Sequence, residues 1–188
     1  MALVISASWR RAVKLNLPFT IPPPETEEES YLRHRMWMMR ALELAHEAGL
    51  VGEVPVAAIV VGPDNQLIAA GTNRKERDCD PTAHAEVVAL RAAGRRLGNW
   101  HLNECTLYVT LEPCMMCAGG IVQGRVGLLV YGASDPKAGA IRSVLNLPDG
   151  PCSNHRLNVL GGILEEPCKI QLQQWFQRRR SEQKRAKH

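Results

Sequence analysis

The chain has 188 residues, with 22% charged side chains, a net charge of +4 and a mean hydropathy of −0.18. This length and composition are typical of one globular domain with a sizeable core, and no apolar run approaches the eighteen or so residues that a membrane-spanning helix needs. The positive charge is concentrated in residues 178–188, whose six basic side chains and one acidic side chain leave the rest of the chain at −1. Such a terminus favours a polyanionic partner, although a solvated helix end would have the same composition.

A change of composition near residue 25 predicts a domain boundary. Residues 1–24 hold three basic residues, no acidic residue and a final run of three prolines, whereas four of the next five residues are acidic. We expect a disordered extension over 1–27, with an organelle transit peptide as the alternative, a folded domain over 28–182 and a basic tail over 183–188. No secretory signal is evident, which favours a reducing, cytoplasmic location. Four cysteines are therefore expected to be free and mostly buried, namely Cys79, Cys105, Cys152 and Cys168.

Hydrophobic periodicity and turn residues predict alternating helices and strands. A helix over 30–48 ends at Gly49, and strands over 54–61 and 66–71 form a hairpin. Helices over 84–98 and 114–123 are each followed by a strand, over 105–111 and 127–131, which predicts parallel pairing. A long loop over 133–155, expected to be functional or disordered, precedes a strand over 156–160 and a helix from about residue 167.

These elements predict an α/β fold with three α/β/α layers, in which a mixed five-stranded sheet lies between helices. The spacing of apolar residues also predicts which helix faces are buried. The predicted faces consist of Leu32, Met36, Met39, Leu42 and Ala45 in the first helix, Val87, Val88, Leu90 and Leu97 in the second, and Leu164, Cys168, Leu172, Trp175 and Phe176 near the end of the chain.

Two short segments contain the types of residue that bind catalytic zinc in other proteins. His84, Cys114 and Cys117 offer one imidazole and two thiols, and three protein ligands leave one position of a tetrahedral zinc open for water. Zinc lowers the pKa of such a water to about 7. Glu86 is only two residues from His84, near enough to accept a proton from that water. Thr82 is predicted to cap the helix that holds His84, and a helix starting at Pro113 would favour thiolates at both cysteines.

The cysteine pair alone has other interpretations. A C-x-x-C spacing is also typical of a thioredoxin-like redox pair, and two buried thiols can have this spacing by chance. The H-x-E sequence about thirty residues upstream, and the proline directly before the first cysteine, favour the zinc site.

The two segments together form the H-x-E…P-C-x-x-C signature of zinc-dependent nucleobase deaminases. Over about residues 33–182 the chain resembles the bacterial tRNA-specific adenosine deaminases, the TadA family, of the cytidine/deoxycytidylate deaminase superfamily. The resemblance is carried by residues 53–56, 73–74, 80–86, 107–119, 132–140 and 154–156. It implies a cytidine deaminase-like fold and hydrolytic conversion of adenosine to inosine at the wobble position of a tRNA anticodon. It also implies one zinc ion per subunit, a homodimer, and the anticodon stem-loop of an arginine tRNA as substrate.

The resemblance also implies roles for individual residues. His84, Cys114 and Cys117 are the metal ligands, and Glu86 is the catalytic acid and base. Asn73 hydrogen-bonds the flipped base, although an Asx-turn residue at a strand end is the alternative. Glu112 either positions the exocyclic amine or caps the helix that holds the cysteines. The remaining substrate-contact candidates are Val56, Ala85, Asp135, Lys137, His155 and Arg156, with Arg178, Arg179 and Arg180 as RNA contacts of the tail.

Two rival functions remain open at this point. A small-molecule deaminase of the guanine or cytosine type would have the same metal motif, so only residues 80–82, the loop over 132–140 and the basic helix end favour tRNA. A non-catalytic, zinc-stabilised RNA-binding module would need no Glu86 and would require a fourth protein ligand.

Overall fold

The structure, a computed structural model, describes residues 26–185. Residues 1–25 of the extension predicted over 1–27, and residues 186–188 of the predicted tail, lie outside the described part of the chain. The helices are α1 (Glu27–Leu50), α2 (Lys75–Asp78), α3 (Ala85–Leu97), α4 (Met115–Gln123) and α5 (Glu165–Arg185). The strands are β1 (Ala57–Val61), β2 (Leu67–Thr72), β3 (Thr106–Leu111), β4 (Leu128–Ala133) and β5 (Asn158–Gly161).

The five strands form one mixed sheet in the order β2-β1-β3-β4-β5. Strand β1 pairs antiparallel with both β2 and β3, whereas β3, β4 and β5 are parallel. The predicted hairpin and the predicted parallel pairing are therefore confirmed. The register places Ala58 opposite both Gly71 and Val109, so the start of β1 lies beside the ends of β2 and β3. Residues that follow β2 and β3 consequently meet at one edge of the sheet.

Helices cover both faces of the sheet, which confirms the three-layer prediction. On one face, Ala85, Ala89 and Ala93 of α3 and Ala118 and Ile121 of α4 join the core of the sheet. On the other face, α1 and α5 pack against the sheet through a second cluster that includes Trp37, Met38 and Cys168. Alanines on α3 let its backbone approach the strands closely, which brings the start of the helix to the sheet edge.

Helix α1 buries a face that overlaps only in part with the predicted one, since Ala45 is buried and Leu42 packs against the core as predicted. Trp37, Met38, Ala41, Ala45 and Ala48 are buried, whereas Leu32 and Met36 of the predicted face are 44% and 37% exposed. One contact that holds this orientation of the helix is the hydrogen bond that the Trp37 indole donates to Asn65 Oδ1 at 2.9 Å. The helix also starts earlier than predicted, since a capping box between Thr26 and Glu29 satisfies its first N–H groups.

The predicted end of α1 at Gly49 was wrong as well. The helix continues to Leu50, and the residue with a positive φ is Gly52, at 94°. Gly49 instead lies against α5, where the Trp175 indole donates to its carbonyl oxygen at 3.1 Å. A Cβ at position 49 would lie 3.2 Å from the Trp175 ring, so this glycine allows close packing of two helices.

The remaining helices show smaller departures from the prediction. Helix α3 buries Ala85, Glu86, Ala89 and Ala93, while Leu97 is 43% exposed. Helix α5 buries Cys168 and Trp175 but leaves Phe176 40% exposed. The cysteines predicted to be free are free, although two of them, Cys79 and Cys152, are exposed. Within residues 26–185, no helix is both long enough and apolar enough to cross a membrane.

Candidate metal centre and active site

The candidate metal-binding residues lie at the starts of two helices on the same face of the sheet. His84 is the N-cap residue of α3 and Cys114 is the N-cap residue of α4, both with extended backbone. Cys117 lies in the first turn of α4 and is buried. The two helices come after β2 and β3 in the chain, and β2 and β3 flank β1 in the sheet. In α/β sheets, ligands usually bind in a crevice outside the C-terminal ends of the strands.

The three predicted ligands lie close together. The Nδ1 atom of His84 lies 3.7 Å from Cys114 Sγ and 3.5 Å from Cys117 Sγ, and all three ligand atoms lie within 4.8 Å of one another. In a tetrahedral site with Zn–S near 2.3 Å and Zn–N near 2.0–2.1 Å, nitrogen and sulfur ligands are about 3.6 Å apart. Both observed distances agree with that spacing, so these residues fit a zinc ion.

The number of ligands distinguishes between kinds of metal site. Among residues 26–185, the cluster of potential ligands has three members, His84, Cys114 and Cys117. Structural zinc sites normally have four protein ligands, whereas catalytic sites have three and an open position. The cluster therefore has the composition of a catalytic centre.

The electrostatics of the cysteine pair also favour a cation. Hydrogen bonding with Cys117 and His84 lowers the pKa of Cys114 to about 3, while the same bond with Cys114 raises the pKa of Cys117. Cys114 is therefore the more acidic of the two thiols. Because metal ligands must be deprotonated, a divalent cation would hold both sulfurs as thiolates.

Glu86 lies in the first turn of α3, directly beside the ligand cluster. Its side chain is only 4% exposed, and this burial raises the pKa of its carboxyl group. A carboxyl group with a raised pKa, next to a potential metal site, is suited to accept and return a proton near neutral pH.

The predicted cap at Thr82 was wrong. His84 itself occupies the N-cap position, and the Thr82 hydroxyl donates to Asp80 Oδ1 at 2.7 Å. The Thr82 backbone N–H donates to the same oxygen at 2.7 Å. Asp80 therefore fixes the turn that leads into α3 and so helps to place His84.

Asn73 follows β2 and is 6% exposed at the sheet edge. Its Nδ2 atom donates to Glu53 Oε2 at 3.0 Å, and its backbone N–H donates to the Val56 carbonyl oxygen at 3.0 Å. The bond to Glu53 fixes which way the amide is oriented, because a carboxylate accepts only from the amide nitrogen. Asn73 is thus a positioned amide near the metal ligands.

Glu53 is a residue that sequence reasoning missed. It is 2% exposed, and besides Asn73 it accepts from the backbone N–H groups of Glu76 and Arg77, at 3.4 and 2.8 Å. These bonds attach the short helix α2, which was not predicted, to the edge of the sheet. A buried carboxylate must be paired, and an isolated glutamate before a strand could have suggested such a role.

Glu112 does not cap the helix that holds the cysteines. It is 2% exposed, and both carboxylate oxygens accept from residues of the long loop, which are Asp135, Ile141, Arg142 and Ser143. The carboxylate therefore holds that loop rather than the helix with the cysteines.

The other predicted contact residues have mixed surroundings. Val56 is half-buried against the core and Ala85 is buried, so both are apolar side chains packed at this end of the sheet. Asp135 Oδ1 accepts from the Lys137 and Ala138 backbone N–H groups, and the Lys137 side chain is exposed. His155 Nε2 lies 2.7 Å from the Val126 carbonyl oxygen, so this ring nitrogen is occupied by a hydrogen bond within the protein.

The basic residues near the end of the chain lie on α5. Arg178, Arg179 and Arg180 are all exposed, as is Arg156 in the loop before β5. Arg179 Nη1 lies 3.5 Å from Glu182 Oε2, and its guanidinium carbon lies 5.6 Å from the centre of the Trp175 ring. The helix extends through the start of the predicted tail to Arg185.

Comparison with known proteins agrees with this site. Residues 32–168 match the MafB19-like deaminase family. A tRNA-specific adenosine deaminase from Haemophilus influenzae is 49% identical over 148 residues, 78% of this chain and 86% of that protein. A solved structure from work on A-to-I editing by tRNA:A34 deaminases is 40% identical, with a TM-score of 0.70 over 72% of this chain and 99% of that chain. A guanine deaminase from Bacillus subtilis is 41% identical, with a TM-score of 0.52 over 54% of this chain and 64% of that chain. The chain therefore belongs to the MafB19-like deaminases and, within them, to the tRNA-specific adenosine deaminases.

Proposed function

We propose that this protein converts adenosine to inosine at the wobble position of a tRNA anticodon. The observation that carries the proposal is the three-ligand cluster of His84, Cys114 and Cys117 beside buried Glu86, in a chain of this family. The reaction adds water at C6 of the purine and releases ammonia, so it needs an activated water and a group that transfers protons.

We propose one zinc ion per subunit, held by His84 Nδ1 and the sulfurs of Cys114 and Cys117. When bound, zinc supplies a Lewis acid that makes a coordinated water acidic near neutral pH. The buried carboxylate of Glu86 accepts the proton of the attacking water and delivers it to N1 of the purine. Glu86 then assists the transfer of a proton to the departing amine, which leaves as ammonia.

Recognition of the base is assigned to Asn73. Its Nδ2–H donates to Glu53, which leaves Oδ1 and the second amide hydrogen for the edge of a purine. Val56 and Ala85 line the same edge of the sheet and exclude water from the face of the base. Since a wobble base is single-stranded, turning it out of the loop costs less than flipping a paired base.

Recognition of the RNA backbone is assigned to exposed basic residues. Lys137, Arg156, Arg178 and Arg180 are exposed, and cations at such positions neutralise phosphates. The Nε2 atom of His155 is bonded to the Val126 carbonyl oxygen, so we assign this histidine to shaping the loop beside Arg156. A homodimer and an arginine tRNA as substrate are carried over from the family resemblance, and a cytoplasmic location from the sequence analysis. We likewise retain a deaminase domain over 28–182 and a basic tail over 183–188.

The two rival functions have distinct requirements. A guanine-type deaminase is favoured by the similarity to the Bacillus subtilis enzyme, and it would turn over a free base. A zinc-stabilised binding module needs a fourth protein ligand, and the described residues offer three.

A substrate panel tests the proposal. Purified, zinc-loaded protein is incubated with an anticodon stem-loop bearing adenosine at the wobble position, and separately with free adenosine, guanine and cytidine. Product bases are identified by mass spectrometry, and Glu86→Ala is the control. We expect inosine from the stem-loop alone, and none from the control. Turnover of a free base without turnover of the stem-loop would favour the small-molecule rival, and a zinc-loaded protein that binds the stem-loop without turnover would favour the binding module.

A further inference from the structure

Glu112 is a buried anion surrounded by N–H groups of a single loop. Its Oε1 atom accepts from the backbone N–H groups of Ile141, Arg142 and Ser143, at 3.2, 2.7 and 2.9 Å. Its Oε2 atom accepts from the backbone N–H of Asp135 at 3.0 Å and from the Ser143 hydroxyl. Four backbone donors and one hydroxyl thus converge on one carboxylate. Removing the carboxylate would leave these four N–H groups and the hydroxyl without their acceptor. Leaving a buried donor unpaired lowers the stability of the folded protein.

The loop that Glu112 holds also contacts the turn containing a metal ligand. The Ala140 backbone N–H donates to the Pro113 carbonyl oxygen at 2.9 Å, and Cys114 forms an isolated antiparallel bridge with Gly139. The exposed Lys137 lies in the middle of the same loop. Glu112 therefore helps to fix how this loop lies against the turn that contains Pro113 and Cys114.

Gly139 makes the arrangement sensitive to a single added atom. A Cβ at position 139 would lie 2.5 Å from both Cδ and Oε2 of Glu112 and 2.6 Å from the Asp135 carbonyl oxygen. The glycine thus allows the loop backbone to approach the carboxylate. A side chain at this position would have to displace either the carboxylate or the loop.

We propose that Glu112 is a positioning residue for RNA recognition, whose carboxylate fixes residues 135–143 against the Cys114 turn so that Asp135 and Lys137 meet the substrate in a preformed arrangement. Both of its oxygens are occupied by the loop, so it acts through the loop rather than by touching the base. This inference rests on the proposed tRNA substrate. It predicts that Glu112, although buried, affects substrate affinity, because a preformed loop does not have to be ordered when RNA binds.

The test compares Glu112→Gln, Glu112→Ala and Gly139→Ala with the wild type. The matched control is Gly94→Ala on α3, where an added Cβ would come no closer than 3.4 Å to its nearest neighbour outside the helix turn, the Asn99 carbonyl oxygen. The measurements are kcat and KM for the anticodon stem-loop, bound zinc, and hydrogen exchange of residues 135–143. Binding of a labelled stem-loop is measured by fluorescence anisotropy.

We expect Glu112→Ala and Gly139→Ala to retain zinc, to exchange faster in residues 135–143, and to raise KM by about 10- to 100-fold with a smaller change in kcat. Glu112→Gln should be intermediate, because its one carbonyl oxygen can still accept the three bonds made at Oε1. If Glu112→Ala does not fold, Gly139→Ala and Glu112→Gln still decide the question.

Two results would overturn the inference. One is an unchanged KM and stem-loop affinity in variants whose loop exchanges quickly, which would make Glu112 a purely structural residue. The other is a loss of kcat with KM and loop exchange unchanged, which would place Glu112 in the chemical step. Absence of wild-type turnover would contradict the proposed function instead. In that case the stem-loop affinities of the variants, compared with that of the wild type, would still test the role of the loop. A wild type that neither binds nor deaminates the stem-loop would refute both proposals.

Discussion

Replacing Gly71 by alanine should move the helix that holds His84 and Glu86. Gly71 lies in β2 beneath α3, and an added Cβ would lie 2.5 Å from the Ala85 carbonyl oxygen and 2.6 Å from the Ala89 backbone nitrogen. Ordinary van der Waals contact begins at 3.4 Å, so the strand and the helix must separate by about 0.9 Å. The neighbouring atoms belong to the helix backbone, which cannot move aside as a flexible side chain would.

The separation has consequences for stability and for catalysis. Overpacking of this kind typically costs about 1–3 kcal/mol, which lowers Tm by about 2–12 °C in a protein of this size. A displacement near 1 Å at the start of α3 would also misplace His84 and Glu86 relative to the cysteines on α4, and such misplacement can reduce kcat/KM by about 100-fold. We expect Gly71→Ala to show both losses.

Thermal unfolding, bound zinc and kcat/KM on the stem-loop measure these effects. Gly94→Ala, on the same helix but away from the sheet, is the matched control. It should be neutral or slightly more stable, since alanine is favoured over glycine within a helix by about 0.5–1 kcal/mol. Wild-type Tm and kcat/KM in Gly71→Ala would refute the inference that close packing of β2 on α3 places the metal ligand.

Three further predictions concern the metal, the proton-transferring residue and the opposite face of the sheet. Chelation of zinc should abolish deamination, and added Zn²⁺ should restore it; full activity of metal-free protein, verified by elemental analysis, would contradict the metal role. Glu86→Gln should retain one zinc per chain and lose about 10²- to 10⁴-fold in kcat, whereas loss of zinc would indicate a structural role. His34 Nδ1 lies 2.9 Å from the Tyr108 hydroxyl, and burial followed by the charge of Arg33 lowers the pKa of His34 below 6.5. Because the folded state then binds fewer protons than the unfolded state, stability should fall as the pH drops below 6.5 through the lowered pKa, and denaturant titrations should show no such fall for His34→Gln.

The metal centre could be predicted because its chemistry is encoded in short sequence spacings. His84 and Glu86 are two residues apart, and Cys114 and Cys117 are three apart, so each pair lies within one helical turn whatever the rest of the fold does. The resemblance to known deaminases then supplied the pairing of the two segments. The structure confirms that the three ligands meet.

Other features depend on contacts between distant parts of the chain, which no local pattern records. Glu112 and its partners in the loop are 23 to 31 residues apart, so its neighbours could not be read from its own surroundings. Similarly, the contact of Trp37 with Asn65, 28 residues away, helps to hold the orientation of α1. Periodicity alone favoured the face with Leu32 and Met36, because large apolar residues outweigh alanines in such patterns, whereas the sheet requires small residues where helices pack closely.

The most direct test of the account is to map the modified nucleotide in a full-length tRNA. Zinc-loaded protein and its Glu86→Ala variant are incubated with tRNA transcripts bearing adenosine at the wobble position, and inosine is read as guanosine after reverse transcription and sequencing. The account predicts conversion at the wobble position alone, by the wild type alone. No conversion by the zinc-loaded wild type, or equal conversion by the variant, would contradict it.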